Sequence, residues 1–157
     1  MPTWAPEVLT LIVRELVAAD LDGLLALYQH LHPVDDPLPS GSVVERTWQA
    51  ILADPAQIYI GGFWHGTMVT ACNAAVVPNL TRGARPFAVI ENVVTAEGYR
   101  RHGFGSAVLQ ELLARCWALG CYKVMLLSGM ARTDVHAFYD SNGFDRTAKQ
   151  AFVISAR

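Results

Sequence analysis

The segment Arg100-Arg101-His102-Gly103-Phe104-Gly105-Ser106 constrains this chain more than any other. It follows an apolar, β-branched run, Phe87–Thr95, and opens a run at residues 103–119 in which Val108, Leu109, Leu112, Leu113, Cys116 and Trp117 recur at helical spacing. Gly120 then supplies a helix stop, and a second apolar run follows at residues 122–127. Strand, helix and strand in that order make a βαβ unit, so two parallel strands with a right-handed crossover are expected. Glycines admit a ligand close to the backbone, and the helix N-terminus behind them offers unpaired N–H groups and a partial positive charge. With Arg100, Arg101 and His102 alongside, the turn suits a pyrophosphate. Spacing alone leaves open a plain tight turn flanked by solvated arginines.

The remaining elements are read around this unit. A strand is expected at residues 10–16, then a helix at 21–31 capped by Asp20 with Leu21, Leu24, Leu25, Tyr28 and Leu31 on its apolar face. A polar loop leads to a helix at 42–52, where Ser42 and Glu45 have capping-box spacing. Strands at 58–64 and Thr67–Val77 are joined by His65-Gly66, and the loop at 78–86 carries Arg82 and Arg85. A short helix at 134–141 and a final strand at 150–155 close the chain. The fold class is α/β (α+β), a mixed, mostly antiparallel sheet with a central parallel βαβ unit, in one domain spanning residues 1–157.

Composition narrows the function. Hydrophobic residues are 52% of 157, charged residues 17%, and 12 Lys+Arg against 14 Asp+Glu leave a net charge of −2. Disorder and general nucleic-acid binding are excluded on that balance. The apolar stretches at 8–13 and 68–77 fall short of the roughly 20 residues of a membrane span, and the N-terminal segment does not read as a signal peptide. Cys72, Cys116 and Cys121 lack metal or redox spacing, which points to a reduced, cytoplasmic setting. No metal is expected: His30, His32, Asp35 and Asp36 read as a helix end and a polar loop. The P-loop pattern is absent. A dinucleotide site is disfavoured because Val108 stands where a third glycine belongs and no acid falls between Glu111 and Asp134.

The R-x-x-G-x-G pattern from Arg100 to Gly105 resembles the acetyl-CoA pyrophosphate loop of the GNAT superfamily of N-acetyltransferases. Ile90-Glu91-Asn92-Val93-Val94-Thr95 before it, Gly120-Cys121-Tyr122-Lys123-Val124-Met125 after it, and Phe138-Tyr139-Asp140-Ser141-Asn142-Gly143-Phe144 near the end extend the resemblance over residues 87–144. The chain is similar in these blocks to small bacterial members and to glucosamine-phosphate N-acetyltransferases. The resemblance implies that Val93, Val94 and Thr95 pair with the pantetheine arm where two parallel strands splay. It also implies that Arg100, Arg101, His102, Gly103, Phe104, Gly105 and Ser106 hold the pyrophosphate. Tyr139 stands where the family's usual general acid does. The alternative for it is a core tyrosine with a satisfied hydroxyl. Glu91, the carboxylate of an apolar strand, is either a base or substrate anchor, or a partner of Arg82 or Arg85. One departure is the stretch Arg132-Thr133-Asp134-Val135-His136, which lacks the cofactor-contacting Asn of many relatives.

The expected activity is therefore direct acetyl transfer from acetyl-CoA to a primary amine of a small molecule in a ternary complex. Arg82, His32 and Asp35 are the candidate substrate contacts. A protein N-terminus or lysine is the alternative acceptor, and an acyl-CoA-binding sensor without catalysis is the alternative class. A homodimer is expected through an exposed final strand.

Overall fold

A computed structural model describes residues 10–32 and 34–156. Residues 1–9, and with them the reading of the N-terminal segment, lie outside the described residues. The strands are β1 (Ile12–Glu15), β2 (Gln57–Trp64), β3 (Thr67–Val77), β4 (Phe87–Thr95) and β5 (Val124–Leu126). The helices are α1 (Leu21–Tyr28), α2 (Gly41–Ala53), the single turn α3 (Thr81–Ala84), α4 (Phe104–Ala118) and α5 (Thr133–Ser141). The strands form one sheet in sequence order, antiparallel except for the parallel pair β4–β5. This is the mixed, mostly antiparallel α/β sheet the sequence predicts, except that the parallel βαβ unit expected at its centre lies at one edge, because β5 pairs with β4 alone.

The central strands are apolar almost throughout because both faces are covered. On one face Ile58, Ile60, Cys72, Ala74, Ala88 and Ile90 pack against Val108, Leu109, Leu112 and Cys116 of α4. On the other, Phe63, Met68, Ala71 and Val94 meet Leu24 and Leu27 of α1 and Trp48 of α2. A β-bulge lets β4 serve both faces. Between the pairs Asn73↔Glu91 and Ala71↔Val94, two residues of β4, Asn92 and Val93, oppose the single Cys72 of β3. Asn92 takes the left-handed conformation there, φ 52°.

Several expectations are corrected. Residues 150–155 form no strand: Phe152, Val153 and Ile154 are 92%, 76% and 97% exposed. A strand needs a partner ladder, and β5, the edge on that side, is three residues long. Asp20 precedes α1 but does not cap it; its carboxylate accepts from the Val17 N–H at 2.7 Å and from the Arg14 guanidinium. The cap of α2 is Ser40, whose carbonyl accepts from the Val43 N–H at 2.9 Å, so the helix starts before Ser42. α1 ends at Tyr28 and fully buries Leu24 and Leu27; Leu21, Tyr28 and Leu31 pack partly buried against the same core, and Leu25 is only partly covered. Trp117 is 51% exposed: it follows Cys116 by about 100° of helix rotation, which carries it off the buried stripe. No helix among the described residues is long and apolar enough to cross a membrane.

Candidate active site

β4 and β5 are paired only from Ala88↔Val124 to Ile90↔Leu126. Beyond Ile90, β4 continues to Thr95 with β3 on one side and, among the described residues, no strand on the other. Backbone groups alternate in direction along a strand. The Val94 carbonyl turns toward β3, where the buried Thr70 hydroxyl donates to it at 3.0 Å. The peptide groups of Val93 and Thr95 therefore face the gap, and the Thr95 carbonyl there accepts from Arg100 Nε at 3.1 Å. Of the three residues named for the pantetheine arm, Val93 is the one whose backbone donor and acceptor meet the opening.

The glycine turn follows at the end of this strand. Arg101 and Gly103 take positive φ, 62° and 79°, and Gly103 stands as the N-cap of α4. Among the described residues none of the backbone N–H groups of Arg101, His102, Gly103, Phe104, Gly105 or Ser106 donates to a protein acceptor. The four orphan donors of a helix start account for part of this array, and the left-handed turn adds the rest. Gly105 lies so close to β4 that an added Cβ would stand 3.1 Å from Thr95 Oγ1. Aromatic packing holds the turn in place: the Phe104 ring meets Trp64 at 5.2 Å, His102 at 5.7 Å and Tyr99 at 6.4 Å between centroids. His102 Nδ1 donates to the Arg100 carbonyl at 2.7 Å, and Arg101 is exposed with no partner among the described residues. Unpaired peptide donors, exposed guanidinium groups and a helix N-terminus together fit the diphosphate of a CoA.

α5 lies over this helix start. Phe138 approaches Gly105, and Asn142 Nδ2 donates to Ser106 Oγ at 3.1 Å and to the Phe138 carbonyl at 2.8 Å. Sequence reading saw Asn142 only as a helix end. Its spacing of three residues after Tyr139 was the available signal for its role in fixing α5. Tyr139 is half-buried between Phe138 and Phe144, at 5.2 and 5.8 Å. Its hydroxyl makes no hydrogen bond among the described residues, in contrast to a satisfied core tyrosine. Burial raises its pKa above the ordinary phenol value; Cys72 and the nearby Glu91 carboxylate add to this, and Arg132 opposes it. The phenol thus keeps its proton across the neutral range.

Glu91 is exposed on β4 at the mouth of the gap, and no ion pair engages it among the described residues. Its field reaches Tyr139. Neither arginine expected as a structural partner is near. Arg85 donates to the Gly120 and Cys121 carbonyls, both at 3.3 Å, and so closes the C-terminal end of α4. Arg82 sits in α3 with φ 56° and holds its guanidinium 5.9 Å from the Tyr122 ring. Both lie toward the start of β4, away from the glycine turn. His32 and Asp35 are exposed in the loop after α1, the helix that covers the Glu91 face of the sheet. His136 donates from Nε2 to the Gly129 carbonyl at 2.9 Å and pins the loop before α5. Cys116 is sealed in the core and burial pushes its thiol up to about 11, so it offers no thiolate.

Comparison with known proteins agrees with this geometry. Residues 21–144 match the model of the acetyltransferase (GNAT) family. A glucosamine 6-phosphate N-acetyltransferase from Trypanosoma brucei brucei is 33% identical over 147 residues, covering 92% of this chain and 95% of its own length. A putative acetyltransferase from Agrobacterium tumefaciens superimposes with a TM-score of 0.86 at 41% identity, over 92% of this chain and 99% of that one. An aminoglycoside N-acetyltransferase solved in complex with CoA has the same fold, with a TM-score of 0.80 at 14% identity over 97% and 99% of the two chains. Family match, overall fold and a turn of unpaired peptide donors converge, and this chain belongs to the GNAT family of N-acetyltransferases.

Proposed function

We propose that the chain transfers the acetyl group of acetyl-CoA directly to a primary amine of a small molecule, within one domain. The observation that carries this reading is the state of Glu91 and Tyr139. Glu91 lies at the open end of β4 with its field reaching Tyr139, and among the described residues no ion pair or hydrogen bond engages either side chain. Bound along the gap, acetyl-CoA supplies an acetyl thioester open to attack by a neutral amine. The N–H groups from Arg101 through Ser106 bind the diphosphate, and the Val93 peptide pairs with the extended arm. Glu91 receives the amine's proton, directly or through water, and Tyr139 holds the proton needed by the departing sulfur. Three buried cysteine thiols give no support to a covalent acetyl-enzyme.

The curated relative's name, glucosamine 6-phosphate N-acetyltransferase, makes an amino-sugar phosphate one candidate within the acceptor class. His32 and Asp35, on the loop after the helix that packs on the Glu91 face of the sheet, remain candidates to contact the acceptor. Pairing with a second copy is proposed without the expected final-strand edge, because residues 150–155 form no strand. Sedimentation equilibrium tests it, a monomer at all concentrations being the contrary result. A thiol-release assay with acetyl-CoA across a panel of amines tests the activity. Amine-dependent thiol release that falls more than tenfold in Glu91→Gln is expected; release that is independent of amine would overturn the reading.

A further inference from the structure

Thr70 and Asn73 are the buried polar residues of the described chain, 0% and 7% exposed. The Thr70 hydroxyl is fully employed between the Val94 carbonyl and Thr95 Oγ1. Asn73 is employed on one side only. Its Oδ1 accepts from Asn92 Nδ2 at 3.0 Å, while no acceptor lies within reach of its Nδ2 among the described residues. No unpartnered side-chain nitrogen or oxygen among those residues is sealed from solvent, so this Nδ2 faces an opening. A donor in a mostly buried residue that meets only water is available to an acceptor brought by a ligand.

Register says where the opening is. Asn73 stands directly opposite Glu91 on β4 and Tyr59 on β2. Directly opposed residues share a face, with Cβ atoms roughly 4.5–5.5 Å apart. Tyr59, and Ala71 two residues before Asn73, belong to the α1 and α2 side, so Asn73 and Glu91 are neighbours on that side. The bulge supplies the aim. Asn92, held at φ 52° by the extra residue in β4, throws its amide onto Asn73 and occupies the acceptor end of that carboxamide. The Nδ2 end of the carboxamide is left without a partner and turned away from Asn92.

We propose that Asn73 is a specificity-determining residue whose Nδ2, aimed by Asn92, donates to an oxygen of the acceptor close to the amine that Glu91 receives. This rests on the reading of Glu91 given above. The substrate class is then a primary amine with a hydroxyl or carbonyl oxygen on the neighbouring carbon. A plain alkylamine leaves the donor unpaired and is discriminated against.

The test compares trans-2-aminocyclohexanol with cyclohexylamine as acceptors in the thiol-release assay. The native protein is expected to prefer the amino alcohol in kcat/KM by about tenfold or more. Asn73→Leu, close in size and without donors, brings that ratio to about one. Asn92→Asp tests the aim should Asn73→Leu fold poorly: a carboxylate there accepts from Asn73 Nδ2 and turns Oδ1 outward, so a preference for glycine methyl ester over propylamine, whose distinguishing carbonyl can only accept, is lost. Turnover of both amines with no preference, or a preference that survives in the folded variants, overturns the role of Asn73 and leaves the N-acetyltransferase reading intact. Turnover of neither amine, with CoA binding retained, removes the small-amine reading and this proposal together.

Discussion

The two ends of β4 carry similar side chains and opposite chemistry. At its start, Arg82 lies toward the Tyr122 ring, Lys123 stands 5.2 Å from the Phe87 ring, and Arg85 is bound to the carbonyls that end α4. At its finish, Arg101 is unpartnered among the described residues, beside a run of peptide N–H groups that donate to none of them. Arginines are thus poor markers of an anion site. What distinguishes the ends is the backbone: a helix C-terminus presents carbonyls and consumes cations, while a helix N-terminus presents donors and leaves cations to a ligand. The arginines before β4 and those after it thus do different work.

The contrast is broken most severely through the residue poised over the second end. Tyr139→Phe should lower kcat about 100-fold or more while CoA affinity, measured by calorimetry, stays within about twofold. Because burial raises the Tyr139 pKa, any basic limb it contributes to the native pH–rate profile lies above about 10 and vanishes in the variant. Equal turnover in both proteins would remove Tyr139 from the chemistry.

Gly103→Val comes next. Space is open around Gly103, but its φ of 79° is strained for a β-branched residue, so the turn must shift. CoA affinity is expected to fall about tenfold, with a stability cost of about 1–2 kcal/mol. Unchanged affinity would show that the turn does not hold the diphosphate.

Two smaller effects sharpen the role of engaged cations. Arg14 binds Asp20 through both carboxylate oxygens, at 2.7 and 2.9 Å, and holds that carboxyl below its usual 3.8. A lowered folded-state pKa contributes stability that is present above the unfolded value and lost as pH falls through the folded one. Asp20→Asn should therefore destabilise the protein by about 1 kcal/mol at pH 7, a gap that closes below pH 3.8 in acid titrations of unfolding. Arg85→Gln is expected to cost roughly 0.5 kcal/mol in denaturant melts and to leave the CoA dissociation constant unchanged. Weaker CoA binding in that variant would erase the distinction between the two ends.

Legibility in the sequence followed the same division. β3 and β4 fall at their expected bounds and α4 within one residue at each end, because apolar periodicity and flanking glycines specify elements that pack on the core. The glycine turn was legible because its conformation needs glycine at Gly103 and its donors are backbone, present whatever the side chains. Features that depend on a partner elsewhere were not. Residues 150–155 have strand composition, but pairing is a property of two strands and β5 offers only three residues. Asp20 and Ser42 look like caps, yet Arg14 draws the first backward and Ser40 pre-empts the second. Asn73 and Asn92 sit in an apolar β-pattern where an amide carries no local signal. Their joining depends on the bulge, which shifts the register by one residue.

The central claim is that the donors at the end of β4 form the phosphate site. It is tested most directly by titrating ¹⁵N-labelled protein with CoA and following the backbone amide resonances. The largest shifts are predicted for the residues from Arg101 through Ser106, with Val93 shifting as the gap fills, and little change at Phe87, Tyr122 and Lys123. Shifts concentrated around Arg82, Tyr122 and Lys123, with the glycine turn unmoved, would contradict the account.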